Sequence, residues 1–463
     1  MKRMEIPPRS GAPEGLLRLQ VVLLSGRSVE VAVDAAAKVW RLEQEVKDAI
    51  GFWPILSAGG RILNETGSLM QEGLEEGAVV QAVCARSFRR LCSSQTGHGF
   101  VAIMPDGTCF QLGRGRWRWE AMPEQVKQQP VQWVEVARFG FAALLRDGSV
   151  VTWFTSENGE MPREHPVLDV ARLVANSEAF AAVHSDGTVT TWGGMTAGGD
   201  SSAVQLVGVT QVEASGRAFA ALRHDGSVFA WGAPSSGGST WAVRRWLVGV
   251  KQLKGSRSAF AALRSDGQVV TWGNRAQGGD SHGVQRQLRG VSRLFACDGA
   301  FAALCWDGSV ITWGEEAWGG NSSQVSEQLQ GVREIISTAG AFASILADGS
   351  VVTWGHPGYG GESGRVQSQL QAVRTVAATR KAFAALRSDG VVITWGDALC
   401  GGYSHDLEEE LACVEDLWAD SAAFCARRSD ASLVAWGLLE DGITNSQQAQ
   451  AFIYRMTGAG QES

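Results

Sequence analysis

Histidine, cysteine and carboxylate side chains would carry any metal, nucleophilic or acid–base chemistry, so their spacing is read first. The seven histidines fall at 98, 165, 184, 224, 282, 356 and 405. None has a second His or Cys at a metal-ligand interval. The eight cysteines (84, 92, 109, 297, 305, 400, 413 and 425) form no C-x-x-C pair. Cys297 and Cys305 are expected in neighbouring strands of one repeat, as small buried hydrophobes. Aspartates recur at 106, 147, 186, 225, 266, 307, 348, 389 and 430, each followed by Gly until Ala431 ends the series. Recurrent Asp-Gly is turn chemistry, not a pair of catalytic carboxylates. The chain has no G-x-x-x-x-G-K-[ST], G-x-S-x-G or H-E-x-x-H. Its Gly-Gly pairs lack a following Lys and helix, so no phosphate cradle is expected. No catalytic, cofactor-binding or metal-ligating residue is assigned, no cofactor is expected, and the chain is read as a non-enzyme.

The elements around those aspartates repeat. The string F-A-A-L-x-x-D-G-S-V-x-T-W-G starts with Phe at 100, 141, 180, 219, 260, 301, 342, 383 and 424, six residues before each Asp. Six residues after the Asp comes Trp153, Trp192, Trp231, Trp272, Trp313, Trp354, Trp395 or Trp436, with Leu112 in that slot of the first copy. The period is 41 residues, shortened twice to 39. Asp-Gly between alternating β-branched runs predicts a hairpin. A two-residue Asp266-Gly267 loop would set Ser265 opposite Gln268, Leu263 opposite Val270 and Ala261 opposite Trp272. The slot facing each Trp would then be Ala in seven copies and Cys425 in the last, a cross-strand match of large with small. Phe260, Ala262, Val269 and Thr271 would share the other face. Both faces are apolar, so each small sheet must be sandwiched. A third run precedes each Phe, as in Val291 to Ala296 or Val332 to Ile336.

The fold class expected is therefore mainly β, a β-propeller-type array of about nine three- to four-stranded units. A closed ring is preferred to an open solenoid. Irregular Leu112 and Ala431 mark its two ends, and Ala451-Phe452-Ile453-Tyr454 offers a strand to complete a terminal blade. The repeated Trp residues are read as packing between blades, not as stacking platforms for a ligand. Helix periodicity is absent from the repeats. Variable positions follow each Trp, and the partner-binding candidates drawn from them are Arg275, Glu315, Trp318, His356, Tyr359 and Tyr403.

Composition narrows the partner class. Apolar residues make up 44% and charged residues 19%, ordinary for a soluble globular protein. The net charge of −7 is spread out, with 9 basic and 11 acidic side chains in residues 1–85. Neither half is basic, so a nucleic-acid partner is not expected. The acidic patch Asp406 to Glu410, with Glu415 and Asp416, is read as a solvated loop. No run approaches the roughly 18 apolar residues of a membrane span. The start MKRMEIPPRSGAPEG has no apolar stretch of a secretory signal, so the thiols are expected to be reduced, in the cytoplasm or nucleus.

The phrase A-F-A-A-L-R-S-D-G-x-V-x-T-W-G, clearest at 259–273 and 382–396, resembles the regulator-of-chromosome-condensation repeat. It resembles still more the shorter-repeat propeller of a bacterial β-lactamase-inhibitor protein. The resemblance spans about residues 86–440. It implies a propeller, and propellers of that superfamily serve as docking surfaces, as exchange factors for small GTPases or as parts of large ubiquitin ligases. Here the G-Q-L-G-type element after the Trp is replaced by Gly-Gly, as in Gly278-Gly279-Asp280.

Residues 16–83 differ in kind. A strand Leu19 to Leu23, a Ser25-Gly26 turn and a strand Ser28 to Val33 precede a helix with Val39, Leu42, Val46 and Ile50 on one face. Gly59-Gly60, Arg61-Ile62-Leu63, Ser68-Leu69, Gly73-Leu74 and a closing strand Ala78 to Val83 follow. This order resembles the ubiquitin-like β-grasp fold, built in and without a terminal Gly-Gly. The expected domains are an extension at 1–15, a small α+β ubiquitin-like domain at 16–84, the propeller at 86–456 and a tail at 457–463.

The expected function is a non-catalytic protein-interaction scaffold or adaptor with protein partners, including ubiquitin-pathway components, and with the propeller rim as its binding surface. The alternatives are a guanine-nucleotide exchange factor for a small GTPase, or a glycan-binding propeller using Trp318, Tyr359 and Tyr403. If the repeated Trp is core, Trp313→Ala costs roughly 3–5 kcal/mol. Chemical denaturation measures this, and an unchanged midpoint refutes the core assignment.

Overall fold

The computed structural model describes residues 16–23, 28–37, 39, 41–42, 45–46, 55–58, 61–63, 68–83, 90–93, 100–103, 109–112, 123–137, 140–154, 167–419, 422–429 and 433–437. At the N-terminus, β1 (Leu16–Leu23), β2 (Ser28–Asp34), β3 (Ile55–Ala58), β4 (Arg61–Ile62) and β5 (Val79–Val83) make one sheet in the order β2-β1-β5-β3-β4. β1 runs antiparallel to β2 and parallel to β5. Alternation puts Leu19, Val21, Val31, Val33 and Val80 on one face, where they are buried with Val39, Leu42 and Val46 of the helix. Ser25-Gly26, Ile50 and Gly59-Gly60 lie outside the described residues.

The rest is nine three-stranded antiparallel sheets, numbered here as units 1 to 9 by their middle-strand Phe, from Phe100 to Phe424. Unit 5 is Val250–Gly255, Ala259–Arg264 and Val269–Gly273. Unit 6 is Val291–Ala296, Ala300–Cys305 and Val310–Gly314. Each sheet has three strands, with no fourth among the described residues. A short helix, Glu124–Gln128, sits between units 1 and 2, where no helical periodicity is visible in the sequence. Asp430-Ala431, the Leu112 side chain and Ala451 to Tyr454 fall outside the described positions. No helix among the described residues is long and apolar enough to cross a membrane.

The hairpin register differs from the expectation by one residue. Phe260, not Ala261, lies opposite Trp272, and Leu263 pairs with Val269. The loop is the three residues Ser265-Asp266-Gly267. Gly267 N donates to Arg264 O at 3.0 Å, and Gly267 is left-handed at φ 78° while Asp266 is not. A two-residue type I′ loop would need both central residues at positive φ. Here the carboxylate favours the alternative, because Asp266 Oδ1 accepts from Gln268 N. Where Ser or Thr follows the Gly, its hydroxyl donates as well, as Ser309 Oγ does to Asp307 Oδ1 at 2.6 Å.

This register puts Phe and Trp on one face. They stack in every unit from 2 to 9, with ring centroids 5.0–5.5 Å apart and planes within 26°. The matching of large with small therefore happens between units. Phe301 and Trp313 of unit 6 pack on Ala259, Ala261, Leu263 and Val269 of unit 5. The other seams repeat this contact. Each sheet thus presents a bulky face to its predecessor and a small face to its successor, giving a propeller-like array.

Polar groups complete each seam. The Trp313 indole N–H donates to Gly278 O of the preceding unit at 3.1 Å. Trp231, Trp272, Trp354, Trp395 and Trp436 make the equivalent bond at 2.9–3.2 Å. Gly278 is left-handed at φ 94°, and a Cβ there would lie 2.4 Å from Phe301 Cδ2. The Gly-Gly pair is therefore part of the joint. Backbone bonds pin both ends of the same seam, Arg257 N to Asp298 O at one rim and Val291 N to Gly267 O at the other.

Two units depart from this. The indole nitrogens of Trp153 and Trp192 are buried without a hydrogen-bond partner among the described residues. The stretches before them read Arg118-Trp119 and Gly159-Glu160 where later units have Gly-Gly. Trp→Phe keeps a ring and removes the donor, so Trp272→Phe should cost about 1 kcal/mol more than Trp192→Phe. Urea midpoints compare them, and equal losses refute the role given to the indole bond.

Candidate functional site

Strands of each unit end at two rims. The hairpin rim carries the Asp-Gly loops. The turn rim carries the link between the first two strands and the 3-10 turn that follows the Trp. These turns are Arg275–Gln277, Glu316–Trp318, Pro357–Tyr359 and Ala398–Cys400 in units 5 to 8, each closed by a left-handed Gly. A small polar side chain ties each turn to its own sheet. Ser256 Oγ donates to Gln277 O at 3.0 Å, Cys297 Sγ to Trp318 O at 3.2 Å, Thr338 Oγ1 to Tyr359 O at 2.9 Å and Thr379 Oγ1 to Cys400 O at 3.0 Å.

The turn rim brings three of the six candidates into one cluster. Trp318 and Tyr359, from adjacent units, have ring centroids 5.3 Å apart and planes tilted by 36°. His356 meets the Tyr359 ring edge-on at 5.1 Å. Lys381 of unit 8 stands 5.4 Å from the Tyr359 centroid, within cation–π range. Both rings are half-buried because they lie on bare backbone: an ideal Cβ on Gly299 or Gly340 would come within 3.1 Å of Trp318 or 2.9 Å of Tyr359. Glu315 flanks the cluster, its carboxylate also over Gly299 and its N–H bonded to Gly299 O.

The remaining candidates lie apart. Arg275 is exposed in the unit 5 turn. Tyr403 is exposed in the connector after unit 8 and pairs with His405 at 6.1 Å. Lys381 is a member that reading the sequence missed. A signal for the cluster was available: the slot before the middle strand is Gly in units 6 and 7, where the following turn ends in Trp318 or Tyr359. It is Glu178, Arg217, Ser258 or Lys381 where the turn ends in Ala197, Ser236, Gln277 or Cys400.

Beside the cluster, Asp298 is half-buried and its carboxyl is raised above the usual range by burial, with Arg380 and Arg257 pulling it back. Burial pushes the Cys297 thiol up to about 12, so it remains a neutral donor to Trp318 O. It is no nucleophile at neutral pH. Among the described residues no group of three His, Cys, Asp or Glu is placed to hold a metal ion. What the cluster offers is held aromatic area with a cation and a carboxylate at its edges, which is the chemistry of binding.

No family model matches the chain, and no curated protein does. Solved structures with some likeness include Prp20p from Saccharomyces cerevisiae, in a study of its binding to Gsp1p and histones. It is 15% identical, covering 50% of this chain and 72% of that one, with a TM-score of 0.34. Human WBSCR16 is 16% identical over 56% of this chain and 83% of its own, with a TM-score of 0.34. A protein designed on ubiquitin is 19% identical, covering 15% of this chain and 89% of that one, with a TM-score of 0.15.

Because a thiol titrating near 12 carries almost no thiolate at pH 8, iodoacetamide should leave Cys297 unmodified in the folded protein while exposed Cys413 reacts. Peptide mass mapping reads both positions. Alkylation of Cys297 at a rate similar to Cys413 would show that its environment is not the dry one described.

Proposed function

We propose that the chain is a non-catalytic interaction scaffold that captures a protein partner on the turn rim of its array, with Trp318 and Tyr359 as anchors. The carrying observation is the pair itself. Two large rings from different units are locked against Gly299 and Gly340 yet keep part of their surface in water. Rings already ordered in the free protein lose little freedom on association, and aromatic anchors dominate binding energy in protein interfaces.

Two further elements belong to this reading. The first is closure of the array into a ring. Ala423, Cys425 and Ala435 lie on the face of unit 9 turned away from unit 8, yet they are only 1%, 1% and 6% exposed. That burial supports unit 1 seated on unit 9. The second is a ubiquitin-like N-terminal domain. The sheet order β2-β1-β5-β3-β4 with a helix over one face supports it, and on this reading the domain recruits ubiquitin-pathway proteins while the array holds a second partner. Buried free thiols at 297 and 305 fit a reducing compartment, cytoplasm or nucleus.

The test is proximity labelling in cells with the full chain and with Trp318→Ala/Tyr359→Ala. The expected result is that one set of neighbours disappears in the variant while its melting temperature stays close to the parent's. Ubiquitin-pathway neighbours should persist. If the variant's neighbours match the parent's, the turn rim is not the binding face. If the full chain labels no ubiquitin-pathway protein, that half of the proposal falls.

A further inference from the structure

Charge in the array is sorted by unit, which the total of −7 conceals. Residues 226–265 carry six cations and no carboxylate, whereas residues 389–416 carry eight carboxylates and no Lys or Arg. The basic stretch also carries exposed apolar side chains. Trp241 is 89% exposed, and Trp246 and Val248 are exposed beside it. Trp306 of unit 6 is 76% exposed.

Hydrogen bonds fix where these residues lie. Ser265 N donates to Gly249 O and Arg264 Nε to Val248 O, which holds the connector 244–249 against the Asp266 hairpin. Trp306 N donates to Gly290 O, which places its backbone beside the connector that carries Arg289. The connector 244–249 and Trp306 are on the hairpin rim, at the opposite ends of the strands from Trp318, and Trp241 lies in the chain three residues before that connector. Cations cover two of the rings: Arg245 stands 4.1 Å from the Trp246 centroid and Lys251 5.8 Å from that of Trp306. Neither of these two cations has an ion-pair partner among the described residues, whereas Lys254 and Arg264 of the same stretch pair with Glu213 and Asp266. Leu168 and Val207, both exposed, occupy in units 3 and 4 the slot that Val248 fills in unit 5, so an apolar row runs along the same rim.

A partner that fits must bring negative charge to cations without counter-charges, and apolar side chains to a row that water now covers. A nucleic-acid backbone brings only the first. It would also meet a hairpin carboxylate at each unit, since Asp225, Asp266 and Asp307 stand on this rim. Ser227 and Ser309 hold Asp225 and Asp307 below the usual carboxylate range, so those charges persist at neutral pH. A peptide can interleave the two chemistries. We propose that the hairpin rim of units 5 and 6 is a docking surface for an acidic protein segment with an apolar side chain every few residues. It is a surface separate from the Trp318 rim and stands whether or not that rim binds.

The test is fluorescence anisotropy of the full chain with a labelled peptide repeating Glu-Glu-Leu. Comparison probes repeat Gln-Gln-Leu or Glu-Glu-Ser, or are oligo-dT. Expected are saturable binding of the Glu-Glu-Leu probe that weakens with salt, and at least tenfold weaker binding of both altered peptides. Trp241→Ala/Trp306→Ala should also weaken binding about tenfold or more. Those indoles are largely in water, so that variant is expected to fold, and its melt is recorded alongside. Trp318→Ala/Tyr359→Ala should bind like the parent. The proposal is overturned by absence of Glu-Glu-Leu binding, by Glu-Glu-Ser binding as tightly, or by oligo-dT binding more tightly and being lost in the same variant. It is overturned equally if the patch is occupied by a second copy of the chain, seen as sedimentation of dimers that Glu408→Gln/Glu409→Gln abolishes.

Discussion

An indole buried between two sheets carries a donor that must find an acceptor where water cannot reach. The array meets this demand with one device repeated at six seams: the N–H of each Trp reaches back to the carbonyl of a left-handed Gly in the preceding unit. The same Gly must lack a side chain because the next Phe lies on it. Apolar contact, polar satisfaction and backbone conformation therefore meet at one point, and no unit can make this joint alone. Cooperation between neighbours follows, as in other repeat proteins.

Much of this order was visible as sequence, because period, Phe, Asp-Gly and Trp recur in phase and alternate apolar residues imply sheets buried on both sides. The register was not, since Asp-Gly is compatible with loops of two and of three residues. The choice between them rested on the Asp carboxylate accepting from the residue after Gly, a bond that a count of turn residues does not reveal. One residue of slip moved the partner of each Trp from Ala to Phe, and so moved the size matching from within a sheet to between sheets. The Gly-Gly pairs showed only as a replacement of the G-Q-L-G-type element, because the neighbours that explain them, the following Phe and Trp, are more than twenty residues away in the chain.

The candidate site was legible only in part. Trp318, Tyr359 and His356 stood out as variable positions after a fixed one, and they do come together. Arg275 and Tyr403 occupy similar chain positions but lie elsewhere along the array. Lys381 joins from a different slot of the next unit. Charge was obscured by summation, because a basic stretch in unit 5 and an acidic one across units 8 and 9 cancel in any total taken over the array. Sorting by unit, which requires knowing where a unit starts, is what separates them.

The two sides of the units are unlike, bulky on one and small on the other, so the array has a direction, and the six joints that share the indole bond are interchangeable. Adding or deleting one whole period would leave each remaining joint chemically as it was. Only the angle summed along the row would change. A gene for such a chain can grow or shrink by unequal recombination in steps of one repeat, and the present number of units is one of several its joints would tolerate.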